Sequence, residues 1–113
     1  MNRPRIGDVY WADLGDPVGH EQGLRRPCVV ISPHSFNTTR SNIATVMPIT
    51  SRDRGIPSHR PLDHEGCGLA VPSWVRTEDF RAISQLRLGR RIGRVGHGEL
   101  DDLREMLLTL LEL

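Results

Sequence analysis

Lysine is missing altogether, and all fifteen basic residues are arginine. Genome composition alone can produce that bias, so by itself it says little about partners. A guanidinium is nevertheless a planar fork of donors that matches phosphate oxygens and stacks on flat rings, so the position of the arginines matters. Charge of one sign is lacking too, with fifteen basic against fourteen acidic residues. Any attraction for a polyanion must therefore come from where the charges lie and not from their sum. Cysteine is scarce, with Cys28 inside the apolar run Cys28-Val29-Val30-Ile31 and Cys67 between Gly66 and Gly68. Neither belongs to a CxxC pair, which argues against a disulfide framework or a zinc ribbon. No apolar run approaches bilayer length, and Met1-Asn2-Arg3-Pro4-Arg5 leads into Gly7-Asp8 and not into an apolar signal core. The expectation is a cytosolic protein with no membrane contact. Internal repeats and low-complexity tracts are absent as well. A chain of 113 residues suits one compact domain over residues 1–113.

What remains reads as short strands. Asp8, Val9, Tyr10, Trp11 and Ala12 mix aromatic and β-branched residues at strand spacing. From Leu14 to Arg26, three glycines, a proline and polar side chains predict a long loop, a length usually reserved for function or disorder. Pro27–Ser32 and Ile43–Ile49 are short apolar runs of the central-strand type, joined by a polar link over 33–42. Thr50–Pro57 reads as an exposed connection, and Ser58–Asp63 as an edge strand because Pro61 cannot donate to a ladder. Gly66 and Gly68 mark a turn, Trp74–Ile83 alternates like one longer strand, and Arg91–Val95 is a short last strand. Leu100, Leu103, Leu107 and Leu110 fall on one helical face, broadened by Met106, Leu108, Leu111 and Leu113. Glu99, Asp101 and Asp102 sit where the N-terminal end of the helix dipole favours negative charge. A helix this apolar asks for burial on two sides. The pattern predicts a mainly β fold, a small bent sheet or barrel with a C-terminal α-helix.

Two blocks carry candidate chemistry. In Gly19-His20-Glu21-Gln22-Gly23-Leu24-Arg25-Arg26-Pro27, a glycine-flanked polar cluster enters a buried strand. Pro27 fixes its own φ and biases Arg26 to an extended backbone, so the Arg26 guanidinium projects from a rigid strand entrance. A cation held that way meets a phosphate oxygen without first being ordered, although an Arg-Pro dipeptide taken alone is better explained by surface pairing of Arg26 with Glu21 or an aspartate. In Val46-Met47-Pro48-Ile49-Thr50-Ser51-Arg52, a strand ends in two hydroxyls and an arginine. Those hydroxyls either form a turn or hold a phosphate, with Thr50 donating and Ser51 and Arg52 holding its neighbours.

Together these blocks resemble the MazF/PemK family of toxin ribonucleases. The resemblance rests on Gly7-Asp8-Val9-Tyr10-Trp11-Ala12-Asp13-Leu14, on Glu21-Gln22-Gly23 followed by Arg26-Pro27, and on Val29-Val30-Ile31-Ser32. It continues through Pro48-Ile49-Thr50-Ser51 and Phe80-Arg81-Ala82-Ile83 into the closing helix. What it implies is a small SH3-like barrel of the CcdB/MazF kind, a homodimer, sequence-selective cleavage of single-stranded RNA at short sequences and inhibition by a cognate antitoxin protein. By matching position, the family's catalytic arginine falls on Arg26 and its catalytic threonine on Thr50. The sequence departs from the family where His20 stands at a position often serine, and where Asp79 stands at one commonly glutamine.

RNA is cleaved by its own 2′-hydroxyl attacking the adjacent phosphorus, so no metal or other cofactor is needed in principle. Aligned donors at the developing charge supply about 10²–10³-fold each, which suits an arginine and a threonine. Arginine stays protonated and makes a poor general base, which leaves Glu21 and His20 as proton-transfer candidates. Glu21 has the alternative roles of orienting Arg26 or meeting a base edge. Arg25, Arg52, Arg54 and Arg81 are candidates for tracking the RNA backbone, with Gln22 and Ser51 for base edges. Trp11 and Trp74 are read as core or interface residues, and His34 and His97 as surface residues. His59, His64 and Cys67 lie near one another in sequence but match no zinc spacing. Two rival readings use the same fold: a non-enzymatic toxin similar to CcdB that binds DNA gyrase, and an SH3-like adaptor that only binds.

Overall fold

The computed structural model describes residues 3–20 and 23–112. Strands β1 (Asp8–Asp13) and β2 (Arg25–Val30) lead to a short helix, α1 (His34–Asn37). Strands β3 (Ile43–Thr50), β4 (His59–Leu62), β5 (Ser73–Arg76), β6 (Arg81–Ser84) and β7 (Leu88–Arg94) follow, and helix α2 (His97–Leu110) closes the chain. The seven strands run in the order β4-β5-β3-β2-β1-β7, with β6 also paired to β3. Strand β3 changes partner along its length. Ile43–Val46 pairs with β6, whereas Ile49 and Thr50 pair with β5. That change of partner bends the sheet into a shell.

The fold class expected from the sequence is what forms, mainly β with a terminal helix. The barrel itself is open, since among the described residues β4 and β7 share no ladder. Packing bridges the gap instead. A Cβ on Gly93 of β7 would lie 2.1 Å from the Cys67 carbonyl oxygen, and one on Gly68 would lie 2.6 Å from that of Ile92. Only glycine lets two backbones approach so closely.

Side chains alternate between the two faces of the strands. Val9, Val29, Met47, Ile49 and Val75 pack with Leu100 and Leu103 of α2. On the other face Ala12, Leu14, Cys28, Val30, Val46 and Ile83 form a second apolar cluster. Glu99 starts α2 and moors it, its Oε1 accepting from the Gly96 amide at 2.8 Å and its Oε2 from the Asp63 amide at 2.6 Å. Arg60 of β4 grips Asp102 with two N–H groups at 2.8 and 3.0 Å. Leu107 packs against this core as expected, but Leu110, Leu108 and Leu111 stay exposed on the last turn. Leu113 lies outside the described residues. Among the described residues, no helix is long and apolar enough to cross a membrane.

Some boundaries differ from the sequence reading. Trp74–Ile83 is not one strand, because a 3-10 turn at Thr77–Asp79 separates β5 from β6. Thr77 is fully buried and its hydroxyl donates to the Ser58 carbonyl at 2.6 Å, which pulls the chain out of the ladder. The link over 33–42 contains α1, pinned by the buried Asn37, which accepts from the Ser32 hydroxyl at 2.6 Å and donates to the Pro4 carbonyl at 2.8 Å. Strand β2 begins at Arg25 and β7 at Leu88, both earlier than their apolar runs suggest.

Candidate active site

Strands β2 and β3 pair Cys28 with Pro48 and Val30 with Val46. Two residues beyond that Cys28–Pro48 pair lie Arg26 and Thr50, both on the face of Cys28 and Pro48. Arg26 is half-buried, and its Nε donates a long bond of 3.4 Å to the Gly23 carbonyl. Among the described residues no carboxylate pairs with it. Thr50 is buried, and its Oγ1 accepts from the Arg52 amide at 3.2 Å. That bond fixes the oxygen while leaving the hydroxyl proton to donate outward. A cation without a described counter-charge on the same sheet face as a fixed hydroxyl is an arrangement that attracts an anion. On the same face, burial pushes the Cys28 thiol up to about 12, with Arg81 drawing it down and Asp79 raising it. The thiol is therefore neutral at physiological pH and offers no nucleophile.

The same face continues across the sheet. Thr50 pairs with Trp74, Trp74 with Pro61, and Arg76 with His59. This row opens into a cleft of about 730 Å³ whose walls include His20, Arg54, His59, Arg76, Glu78 and Asp79. Glu78 is the hub of the wall. Its Oε1 accepts from the Ser58 hydroxyl at 2.9 Å, while its Oε2 meets His59 Nε2 at 2.9 Å and Arg76 Nε at 3.4 Å. Burial alone would raise the Glu78 carboxyl, but its own backbone amide, Ser58 and His59 together hold it below the ordinary value. Arg76 also donates to the His20 carbonyl at 2.8 Å, tying the β1–β2 loop to β5.

The residues picked out from sequence separate accordingly. Arg26 and Thr50 lie on one sheet face, each two residues beyond the Cys28–Pro48 pair, and His20 and Arg54 share the neighbouring cleft with Asp79. Arg25 leaves the strand on the opposite face from Arg26 and sits 5.6 Å from the centroid of the Trp11 ring, a cation–π contact. Arg81 is held by Asp79 at 2.7 Å, so that pair is internally neutralised. Ser51 and Arg52 are exposed just beyond β3. Glu21 and Gln22 lie outside the described residues. His97 is exposed as expected, whereas His34 is half-buried. His59, His64 and Cys67 do not converge: His59 meets Glu78, His64 is 3.9 Å from Glu65, and Cys67 packs in the core with α2. The sequence reading missed the Ser58–His59–Glu78–Arg76 network. Alternation offered a signal, because Arg76 stands two residues from Trp74 and so shares its face.

Residues 5–111 match the family model described as the PemK-like, MazF-like toxin of type II toxin-antitoxin systems. The chain belongs to this family. Among its relatives, the endoribonuclease MazF9 of Mycobacterium tuberculosis is 35% identical, the alignment covering 96% of this chain and 97% of that one. The endoribonuclease EndoA of Bacillus subtilis is 34% identical over 95% of this chain and 93% of its own. The crystal structure of MazF from Deinococcus radiodurans superposes with a TM-score of 0.88 at 28% identity, covering the whole of both chains. In this PemK/MazF-family toxin the two departures noted from sequence, His20 and Asp79, line one cleft. The charge of Asp79 is met there by Arg81.

Proposed function

We propose that this PemK/MazF-family toxin is a cytosolic endoribonuclease that cleaves single-stranded RNA without a metal and is neutralised by a cognate antitoxin. The observation that carries the reading is the half-buried Arg26 guanidinium, with no described carboxylate partner, on the sheet face that also carries the Thr50 hydroxyl. In this reading the RNA 2′-hydroxyl attacks the adjacent phosphorus. Arg26 and Thr50 donate to the non-bridging oxygens as charge builds on the phosphorane, and the products are a 2′,3′-cyclic phosphate and a 5′-hydroxyl. The proton taken from the 2′-hydroxyl goes to a base other than Arg26, which does not deprotonate. Glu21 and the exposed His20 imidazole in the adjoining cleft are the candidates. Arg52 and Arg54 stand on the exposed connection after β3, open to a polyanion.

Family membership supports the antitoxin partner, since the matched family is the toxin half of such systems. The exposed Leu108, Leu110 and Leu111 on the last turn of α2 are in keeping with a homodimer. The gyrase-binding alternative is not favoured, because the match runs to the PemK/MazF family over residues 5–111.

The test is cleavage of a mixed-sequence RNA in EDTA. Wild-type protein should cut it, and Arg26→Ala should lose about 10²–10³-fold in rate while keeping its circular dichroism spectrum. A folded Arg26→Ala protein with undiminished activity would overturn the assignment.

A further inference from the structure

The sheet face that carries Arg26 and Thr50 runs, at its other end, into a cluster of positive charge that the proposed reaction does not use. Arg3, Arg5, Arg91 and Arg94 surround a cleft of about 390 Å³, with Tyr10 and His34 in its wall. The β1–β7 ladder sets Tyr10 opposite Arg91 and Asp8 opposite Arg94. On its other side β1 sets Tyr10 opposite Cys28 and Ala12 opposite Arg26. Residues two apart in a strand share a face, so the Tyr10 row lies about 7 Å along the sheet from the Arg26 row.

Asp8 is the one acid in the wall, and its charge is taken up behind the arginines. It is 4% exposed, accepts from the Arg5 amide at 2.9 Å and from Arg91 at 3.2 and 3.3 Å, and lies 3.8 Å from Arg94. Among the described residues, the Arg5 guanidinium has no hydrogen bond or ion pair and His34 Nδ1 has no partner. A chain with a formal charge of +1 thus gathers four arginines against one acid at this spot. Tyr10 and Arg3 also line a neighbouring cleft of about 550 Å³, bounded by Asn42, Gln85 and Leu86, so the two hollows meet.

We propose that this cleft is a phosphate subsite for single-stranded RNA, holding a backbone phosphate beyond the cleavage step while the Tyr10 ring stacks a base. Guanidinium forks fit carboxylates as well as phosphates, but two features favour a polynucleotide over an acidic peptide. An aromatic ring lies among the arginines, and the cluster shares a face with the Arg26–Thr50 pair, so one extended strand reaches both. The inference rests on the RNA reading of that pair.

Arg5→Gln is the informative variant, because the guanidinium it removes holds nothing else in place and the melting temperature should not move. Binding is read by fluorescence anisotropy of a labelled 2′-O-methyl oligonucleotide, which cannot be cleaved, across a salt series. Loss of one phosphate contact should weaken binding several-fold and lower the slope of log affinity against log salt by about 0.7. Arg5→Lys should restore the slope. An unchanged slope in Arg5→Gln, or weakened binding of polyglutamate with oligonucleotide binding intact, would overturn the subsite. Arg5-dependent binding by a wild-type protein that cuts no RNA would uphold the subsite and sink the cleavage reading alone.

Discussion

Arg26 at the opening of β2 and Thr50 at the close of β3 each stand two residues beyond Cys28–Pro48, the outermost pair of the ladder between those strands, on one face of the sheet. The Thr50 oxygen is held by the Arg52 amide, so it is in place before any substrate arrives and its proton is left free to donate. Thr50→Val keeps the shape and removes the donor. It should slow RNA cleavage by about 10²-fold. It should also cost about 1 kcal/mol of stability, because the Arg52 amide loses its acceptor. Thr50→Ser should keep most of the rate. Single-turnover kinetics beside a thermal melt separate the two effects, and equal rates for the valine variant and wild type would remove Thr50 from the reaction.

Glu78 makes an acid-sensitive contribution to stability. Its native carboxyl is held below the ordinary value of 4.5, against the pull of burial, by its own amide, Ser58 and His59. A depressed native value means that the folded state binds fewer protons than the unfolded chain. The contribution is therefore complete above 4.5 and is lost as pH falls through the lower native value. Glu78→Gln should melt earlier than wild type at neutral pH, with the gap narrowing in acid. Parallel melts across that range check it, and a gap that stays constant would show that Glu78 is not held below its ordinary value.

Much of this molecule was legible before any coordinates. The apolar runs over 28–31 and 43–49 mark the two central strands, because a strand buried on both faces needs no alternation. Arg26 stands out in the sequence because Pro27 fixes the strand entrance beside it, and the structure holds it half-buried at that entrance. The break at Thr77 was not, since alternation continues through Trp74–Ile83 and only a tertiary bond to Ser58 interrupts it. Arg81 reads as a free cation in sequence, and its pairing with Asp79 depends on a 3-10 turn that local pattern does not encode. The basic cleft around Tyr10 joins residues more than eighty positions apart, and the β1–β7 register that sets Tyr10 opposite Arg91 and Asp8 opposite Arg94 is not written in local pattern.

Cys28 lies two residues from Arg26 on the same face of β2 and should be chemically silent. With its thiol pushed up to about 12, first by burial, the native protein holds almost no thiolate at pH 8. A maleimide or disulfide reagent should leave Cys28 unmodified until denaturant is added. Cys28→Ser should destabilise by about 1–3 kcal/mol, because a hydroxyl would replace a weakly polar group inside an apolar cluster. Peptide mapping after a timed reaction decides the first point. Rapid native modification at Cys28 would mean that the strand pair opens far more readily than its packing implies.

The open barrel depends on two glycines where a ladder would otherwise stand. A Cβ on Gly93 would sit 2.1 Å from the Cys67 carbonyl oxygen, and backbone on both sides leaves no flexible side chain to yield. Gly93→Ala should push β7 away from the β4–β5 loop and cost about 1–3 kcal/mol or more. Gly98 in α2 offers the matched control, because nothing lies within 4 Å of a Cβ built there. Gly98→Ala should stabilise by about 0.5–1 kcal/mol through helix propensity alone. The two alanines should therefore move the melting temperature in opposite directions. If Gly93→Ala melts at or above the wild-type temperature, the Gly93–Cys67 contact does not close the shell, and the terminal strands must be held by α2 alone.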